Sequence, residues 1–139
     1  ESGDEAALRE LLRAASLPED LGPAWFPRYA VVAMDGVRIV GAAAFEHAGS
    51  DALLRSVVVA PAHRGHRLGE RLTHDRLDAM RRSGLRAAYL LTTDAAAFFE
   101  RLGFTATERA RVPAPLQALG QFAALCPASA RCLHQPLTR

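Results

Sequence analysis

Val57-Val58-Val59-Ala60-Pro61-Ala62-His63-Arg64-Gly65-His66-Arg67-Leu68-Gly69-Glu70 is the stretch whose reading decides the fold. An apolar, β-branched run stops at Ala60-Pro61, a short loop carrying glycine and arginine follows, and a helix opens at about Leu68. A strand fed through such a loop into a helix N-terminus makes an anion cradle. The first turn of a helix leaves backbone N–H groups without intrahelical partners, and the helix dipole adds about half a positive charge there. Gly65 and Gly69 let the backbone approach a phosphate with no Cβ in the way. Arg64, Arg67, Arg71 and His66 add positive charge around it. On spacing alone, the stretch reads equally as a tight strand-to-helix turn with a solvated basic rim.

Working outward, Leu53 to Val59 is apolar on both faces and reads as a central buried strand. Before it, Tyr29 to Met34 and Val37 to Phe45 are β-rich runs joined by Asp35-Gly36, a two-residue hairpin signal. Gly49-Ser50-Asp51 turns the chain into the central strand. Asp4 to Ala15 spaces Leu8, Leu11 and Leu12 as on one helix face, with acids in the first turn. Pro18 and Gly22-Pro23 end it and open a loop through Pro27, in which Trp25 and Phe26 either pack on the sheet or form a lid.

After the loop, Leu68 to Arg82 predicts a helix with Leu72, Leu77 and Met80 inward and the arginines, Asp75 and Asp78 outward; Gly84 stops it. Ala87 to Thr92 is a further buried strand. Asp94 offers an N-cap for a short helix, Ala95 to Leu102, ended by Gly103. Phe104 to Val112 reads as extended, Leu116 to Leu125 as a short helix and Ala130 to Leu137 as a last strand. This order predicts an α/β fold, a mixed central sheet flanked by helices.

At 139 residues, with half of them hydrophobic and no repeat or linker, residues 1–139 are expected to form a single domain. All 17 basic residues are arginine, yet the net charge is only +2, which gives no sign of nucleic-acid binding, and no nucleic-acid partner is expected. The longest apolar run, Ile39 to Phe45, is too short to cross a bilayer, so no membrane partner is expected. Glu1-Ser2-Gly3 reads as a trimmed start, and no signal peptide opens the chain. Cys126 and Cys132 make no disulfide framework, and two thiols alone are a weak metal site, so no metal is expected. They read as small buried hydrophobes, with a clip for trivalent arsenic as the alternative. A reducing cytoplasm is the expected compartment.

The segment Arg64-Gly65-His66-Arg67-Leu68-Gly69 resembles the pyrophosphate signature of the Gcn5-related N-acetyltransferases (GNAT), Arg/Gln-x-x-Gly-x-Gly/Ala after a strand ending in Val-x-Pro. Phe98-Phe99-Glu100-Arg101-Leu102-Gly103-Phe104 is similar to the family's second hallmark, Phe-Tyr-x-x-x-Gly-Phe, at the right separation. The resemblance covers nearly the whole chain, although the family's first strand would precede Glu1 or be absent. Ala52-Leu53-Leu54-Arg55-Ser56, Leu90-Leu91-Thr92-Thr93 and the tail from Gln121 to Ala130 further resemble acetyltransferases of arsenic-resistance operons and the acetyltransferase domain of N-acetylglutamate synthase.

That resemblance implies acetyl-CoA as cosubstrate and a sheet splayed at the acetyl-CoA site. The backbone of Val57, Val58 and Val59 would pair with the pantetheine arm as an added strand does. Arg64, Gly65, His66, Arg67, Leu68, Gly69 and Glu70 would hold the pyrophosphate. Direct transfer to an amine in a ternary complex needs a base, and often an acid for the thiolate. Many members carry a basic Glu where this chain has Leu53 and a Tyr acid where it has Phe99, and neither residue here moves a proton. Glu46 is the candidate catalytic base, with a solvated strand-end carboxylate as the alternative.

Arg55 places a charge in an apolar strand, and a buried guanidinium needs an anion. It reads either as a structural pair with Glu46 or Asp51, or with Ser56 as the anchor for an acceptor carboxylate. Thr92 and Thr93 would offer hydroxyls to the same acceptor, unless they serve only β-propensity and capping. The expected activity is N-acetylation of a small-molecule amine, an amino acid or amino-acid-like toxin of the arsenic-resistance type, by a monomer or homodimer. Alternatives are acetylation of a protein or peptide, and a catalytically silent module that senses acyl-CoA or metalloid.

Overall fold

The computed structural model describes residues 6, 9–13, 30–119 and 130–137. Trp25, Phe26, Cys126 and the tail from Gln121 to Ser129 lie outside the described residues, as do half of the helix expected over Asp4 to Ala15 and the last part of the one expected over Leu116 to Leu125. Residues 6 and 9–13 are helical. Six strands follow: β1 (Ala30–Asp35), β2 (Arg38–Ala48), β3 (Asp51–Val59), β4 (Ala87–Thr92), β5 (Thr105–Thr107) and β6 (Arg131–Pro136). They form one sheet in the order β1-β2-β3-β4-β6-β5, in which β1 and β2 are antiparallel, β3 and β4 parallel, and β6 antiparallel to both β4 and β5. The fold is mixed α/β, as expected.

The described residues fall into two compact units: those up to Glu46 with Arg55–Asp78, and His47–Leu54 with Ala79 onward. In the first unit, the two-residue turn is Gly36-Val37, because Asp35 still pairs with Arg38. Gly36 has φ +63° and Val37 is not left-handed. Positive φ at the first central position alone is the type II′ pattern, which needs glycine there and moves the turn one residue past the expected Asp35-Gly36.

On β2, Gly41 and Phe45 face one side and Ala42 the other, since strand side chains alternate. The long helix Leu68–Arg82 covers the first side: Leu68 and Leu72 meet Gly41, and the Arg76 guanidinium lies over the Phe45 ring at 5.7 Å. Leu11 and Leu12 pack with Ala42 and Val58 on the opposite side. Leu72, Leu77 and Met80 are buried as expected, but so is Arg76, which sequence reasoning sent outward.

In the second unit, Leu53, Val112, Leu116 and Cys132 make a core joined by Ala48, Tyr89, Leu91 and Leu119. The short helix runs Ala96–Arg101, and its start carries no Asp94 cap. The Thr92 hydroxyl instead accepts the Ala95 N–H at 3.0 Å. Phe104 to Val112 is not one extended run: after the three residues of β5 it tightens into a 3-10 turn, Arg109–Arg111. Pro113 caps a four-residue helix, Ala114–Gln117, its fixed φ being suited to a helix start.

Candidate cofactor cradle and the Glu46–Arg55 pair

β3 is irregular at one residue, and that irregularity organises the first unit. Arg55 meets Glu46 and Val58 meets Ala42, while Glu46 and Ala42 lie on the same side of β2. A regular strand would send residues 55 and 58 to opposite faces. One residue is therefore extra. Ser56, with φ +59° inside the strand, is that bulge. The parallel register with β4 pairs Asp51, Ala52 and Leu53 with Ala87, Ala88 and Tyr89, and β3 runs on for six residues past Leu53. Val57, Val58 and Val59 all belong to that continuation.

The strand ends where the Ala60 N–H donates to the Val40 carbonyl at 2.7 Å. A 3-10 turn, Pro61–His63, carries the chain to the loop. Gly65 has φ +87°, and a Cβ built there would meet no atom within 4 Å. Arg67 has φ +62°. It occupies the fourth position of the six-residue signature, where the pattern has glycine, so a left-handed backbone is kept without the residue that adopts it freely. The Arg71 N–H bonds the Arg67 carbonyl at 3.0 Å, so the N–H groups of Leu68, Gly69 and Glu70 precede the helical ladder. Left-handed residues in a turn, with unpartnered N–H groups at a helix start, form a concave anion nest. These residues fit a diphosphate.

The charged side chains divide around the nest. Arg64 folds back, its Nε donating to the Val59 carbonyl at 3.1 Å. His66 and Arg67 are exposed, and Glu70 lies 3.9 Å from His74 one turn on. His63 Nε2 lies 3.1 Å from Asp35 Oδ2, with its Nδ1 buried and unpartnered. That residue also lines an open groove of about 590 Å³ between β1 and the long helix, together with Val31, Val40, Leu68, Arg71 and Leu72.

Glu46 and Arg55 are joined: Arg55 Nη1 donates to Glu46 Oε2 at 2.9 Å, with side chains 17% and 5% exposed. The Arg55 Nε also reaches Ser56 Oγ at 3.4 Å. The structure thus brings together the residue read as a base and the residue read as a carboxylate anchor. In the second unit, Asp51 is buried and its carboxylate lies 3.9 Å from Arg86. The Tyr89 phenol is held above its ordinary value, first by burial, then by the Asp51 carboxylate and Cys132, against the opposing charge of Arg86. Thr92 ends β4 and is half-buried, while Thr93 follows the strand and is exposed. Among the described residues, no group of three His, Cys, Asp or Glu side chains is placed to hold a metal, and no helix is long and apolar enough to cross a membrane.

The model of the acetyltransferase (GNAT) domain matches residues 27–106, more than half of the chain. This chain belongs to the GNAT acetyltransferase family. No curated protein matches it in sequence. Among solved structures, it is similar to Rv2747 of Mycobacterium tuberculosis, in complex with CoA and NLQ: 21% identity, TM-score 0.81, covering 99% of this chain and 96% of that one. N-acetylglutamate synthase of Neisseria gonorrhoeae, complexed with coenzyme A and N-acetyl-glutamate, matches at 19% identity and TM-score 0.79 over 99% of this chain, which spans 33% of the synthase. The ribosomal-protein-S18-alanine N-acetyltransferase of Escherichia coli matches at 18% identity and TM-score 0.73, over 100% of this chain and 91% of that one. The GNAT fold expected from the two motifs is the fold of these neighbours.

Sequence reasoning missed two features. Arg76 is buried against Phe45, a contact that no spacing signals. The bulge at Ser56 was invisible because serine is no usual left-handed residue.

Proposed function

We propose that the chain is an acetyl-CoA-dependent N-acetyltransferase acting on the amine of an amino acid or an amino-acid-like toxin of the arsenic-resistance type, in the cytoplasm. The observation that carries the cofactor half is the continuous β3–loop–helix segment. A strand stretch beyond its last parallel pair leads into a left-handed nest at Gly65 and Arg67 and then to unpartnered helix N–H groups. Val57, Val58 and Val59 offer backbone groups to an amide-bearing arm, as an edge strand does. The N–H groups from Gly65 to Glu70 hold the diphosphate, with Arg67 and Arg71 as neighbouring cations. When bound, the cosubstrate supplies an acyl thioester.

The acceptor half rests on Arg55, Ser56 and Glu46. Arg55 anchors an acceptor carboxylate, Ser56 steadies the guanidinium, and Glu46 takes the amine proton. The buried guanidinium supports an acceptor that carries a carboxylate, and the N. gonorrhoeae neighbour, complexed with N-acetyl-glutamate, agrees with an amino-acid-sized product. Leu53 and Phe99 are buried and hold no titratable proton. A thiolate from a thiol with pKa about 8.5 leaves without an acid.

The test is mass spectrometry of purified protein incubated with acetyl-CoA and a pooled panel of amino acids, glutamate mimics, polyamines and short peptides. Acetylated amino acid or mimic is the expected product. Acetylated peptide alone would favour a protein acceptor. No product, with acetyl-CoA still bound, would favour a silent acyl-CoA sensor.

A further inference from the structure

Residues 61–67 carry the nest, and their hydrogen bonds run mostly to near neighbours along the chain. The His63 N–H donates to the Ala60 carbonyl at 2.9 Å, the Arg64 N–H to the Pro61 carbonyl at 3.4 Å, and Arg64 Nε to the Val59 carbonyl at 3.1 Å. Among the described residues, one polar contact ties this stretch to a distant element: His63 Nε2 meets Asp35 Oδ2 at 3.1 Å, across 28 residues of chain. Resting on the acetyl-CoA reading above, we propose that Asp35 is a positioning residue for the cosubstrate loop. It holds the His63 ring, and through the ring the backbone that leads into Gly65 and Arg67.

The two ends of this tether differ in stiffness. Asp35 is the last residue of β1, still paired with Arg38 and followed at once by the left-handed Gly36 of the hairpin turn. Its backbone is fixed by the sheet. His63 belongs to a three-residue 3-10 turn, whose hydrogen-bond geometry is poorer than that of an α-helix. The ring also has no second polar hold. A carboxylate oxygen only accepts, so Nε2 carries the hydrogen, while Nδ1 is buried with no partner. Without Asp35, the ring hydrates both nitrogens only by swinging outward, and the backbone of residues 63–65 moves with it.

With side chains 35% and 70% exposed, the pair is too weak to hold the fold together. It is strong enough to bias a loop between conformations of similar free energy. When only a fraction of molecules present the nest, the apparent Kd for the cosubstrate rises by the reciprocal of that fraction. One contact of this kind shifts it by about three- to fivefold. The sign separates this role from simple electrostatics. CoA carries several negative charges, so charge alone predicts tighter binding when the Asp35 anion is removed. The tether predicts weaker binding.

The experiment is isothermal titration of CoA into the full chain and its variants. Asp35→Ala should raise Kd about three- to fivefold. His63→Ala should do the same, and the double variant no more than either alone, because all three remove one contact. Asp35→Asn keeps an oxygen that accepts from Nε2 while losing the charge, so it should bind CoA as tightly as the wild type or more tightly. An unchanged or lowered Kd in Asp35→Ala would make Asp35 a plain surface charge and overturn the tether. So would an Asp35→Asn variant as weak as Asp35→Ala, or additive losses in the double variant. His63→Ala reads the contact from its other end where Asp35→Ala fails to fold. A wild-type protein that binds no CoA would overturn the acetyl-CoA reading, and this inference with it.

Discussion

Gly41 of β2 lies so close to Leu72 of the long helix that a Cβ built on it would stand 3.0 Å from Leu72 Cδ1 and 3.2 Å from the Val58 carbonyl oxygen. Helix, β2 and β3 thus meet at one backbone position, and the register of the cradle depends on that approach. A larger side chain must push on backbone as well as on flexible side-chain ends. Gly41→Val is expected to lower stability by about 1–3 kcal/mol, as overpacked cores do. Urea denaturation of the two proteins measures it, and a variant as stable as the wild type would contradict the close approach.

The two left-handed positions of the loop should respond in opposite directions. Gly65, at φ +87°, has open space around it, so an added Cβ costs backbone strain and obstructs the nest. Gly65→Ala is expected to raise the CoA Kd about tenfold or more, a loss of roughly 1.4 kcal/mol, by isothermal titration calorimetry. Arg67, at φ +62°, already bears that strain. Arg67→Gly should raise the melting temperature, by the equivalent of about 1 kcal/mol, while removing one cation from the cradle.

Arg76 is buried, with Nη1 unpartnered and its other donors on the adjacent Asp75, at 2.6 and 3.0 Å. A buried charge so incompletely satisfied contributes little beyond the packing of its stem on Phe45. Arg76→Met should leave stability within about 1 kcal/mol of wild type or increase it, whereas Arg76→Ala should lose about 2 kcal/mol or more by opening a cavity. Thermal melts of both variants separate the charge from the packing.

Tyr89 supplies an alkaline test. Because burial, Asp51 and Cys132 raise the phenol's pKa, the folded protein keeps the proton to higher pH than the unfolded chain does. That stabilisation is fully present below the unfolded value of about 10 and is lost as pH rises through the folded value. Tyr89→Phe should therefore show a shallower fall in urea midpoint above about pH 10 than the wild type. Parallel curves would remove Tyr89 from the account.

Leu68 to Arg82 and Ala87 to Thr92 could be read residue for residue from the chain, because apolar spacing and glycine or proline punctuation act over a few neighbours. The strand–loop–helix cradle was legible for the same reason: Pro61, Gly65 and Gly69 are local instructions. The turn at Gly36-Val37 was off by one residue, since Asp-Gly and Gly-x signals differ only in which hairpin type the strand register selects. Arg109–Arg111 was read as extended because single-residue preferences do not show where pairing with β6 stops.

What the chain decided by itself is therefore the order of elements and the backbone chemistry of the loop, both set by forces between near neighbours. What only the tertiary structure decided is which distant side chains meet. Glu46 reaches Arg55 because β2 and β3 lie side by side in the sheet, and the bulge at Ser56 returns Val58 to the side of Ala42. A buried guanidinium will take whichever carboxylate the fold brings within reach, and nothing in its neighbours along the chain names that carboxylate.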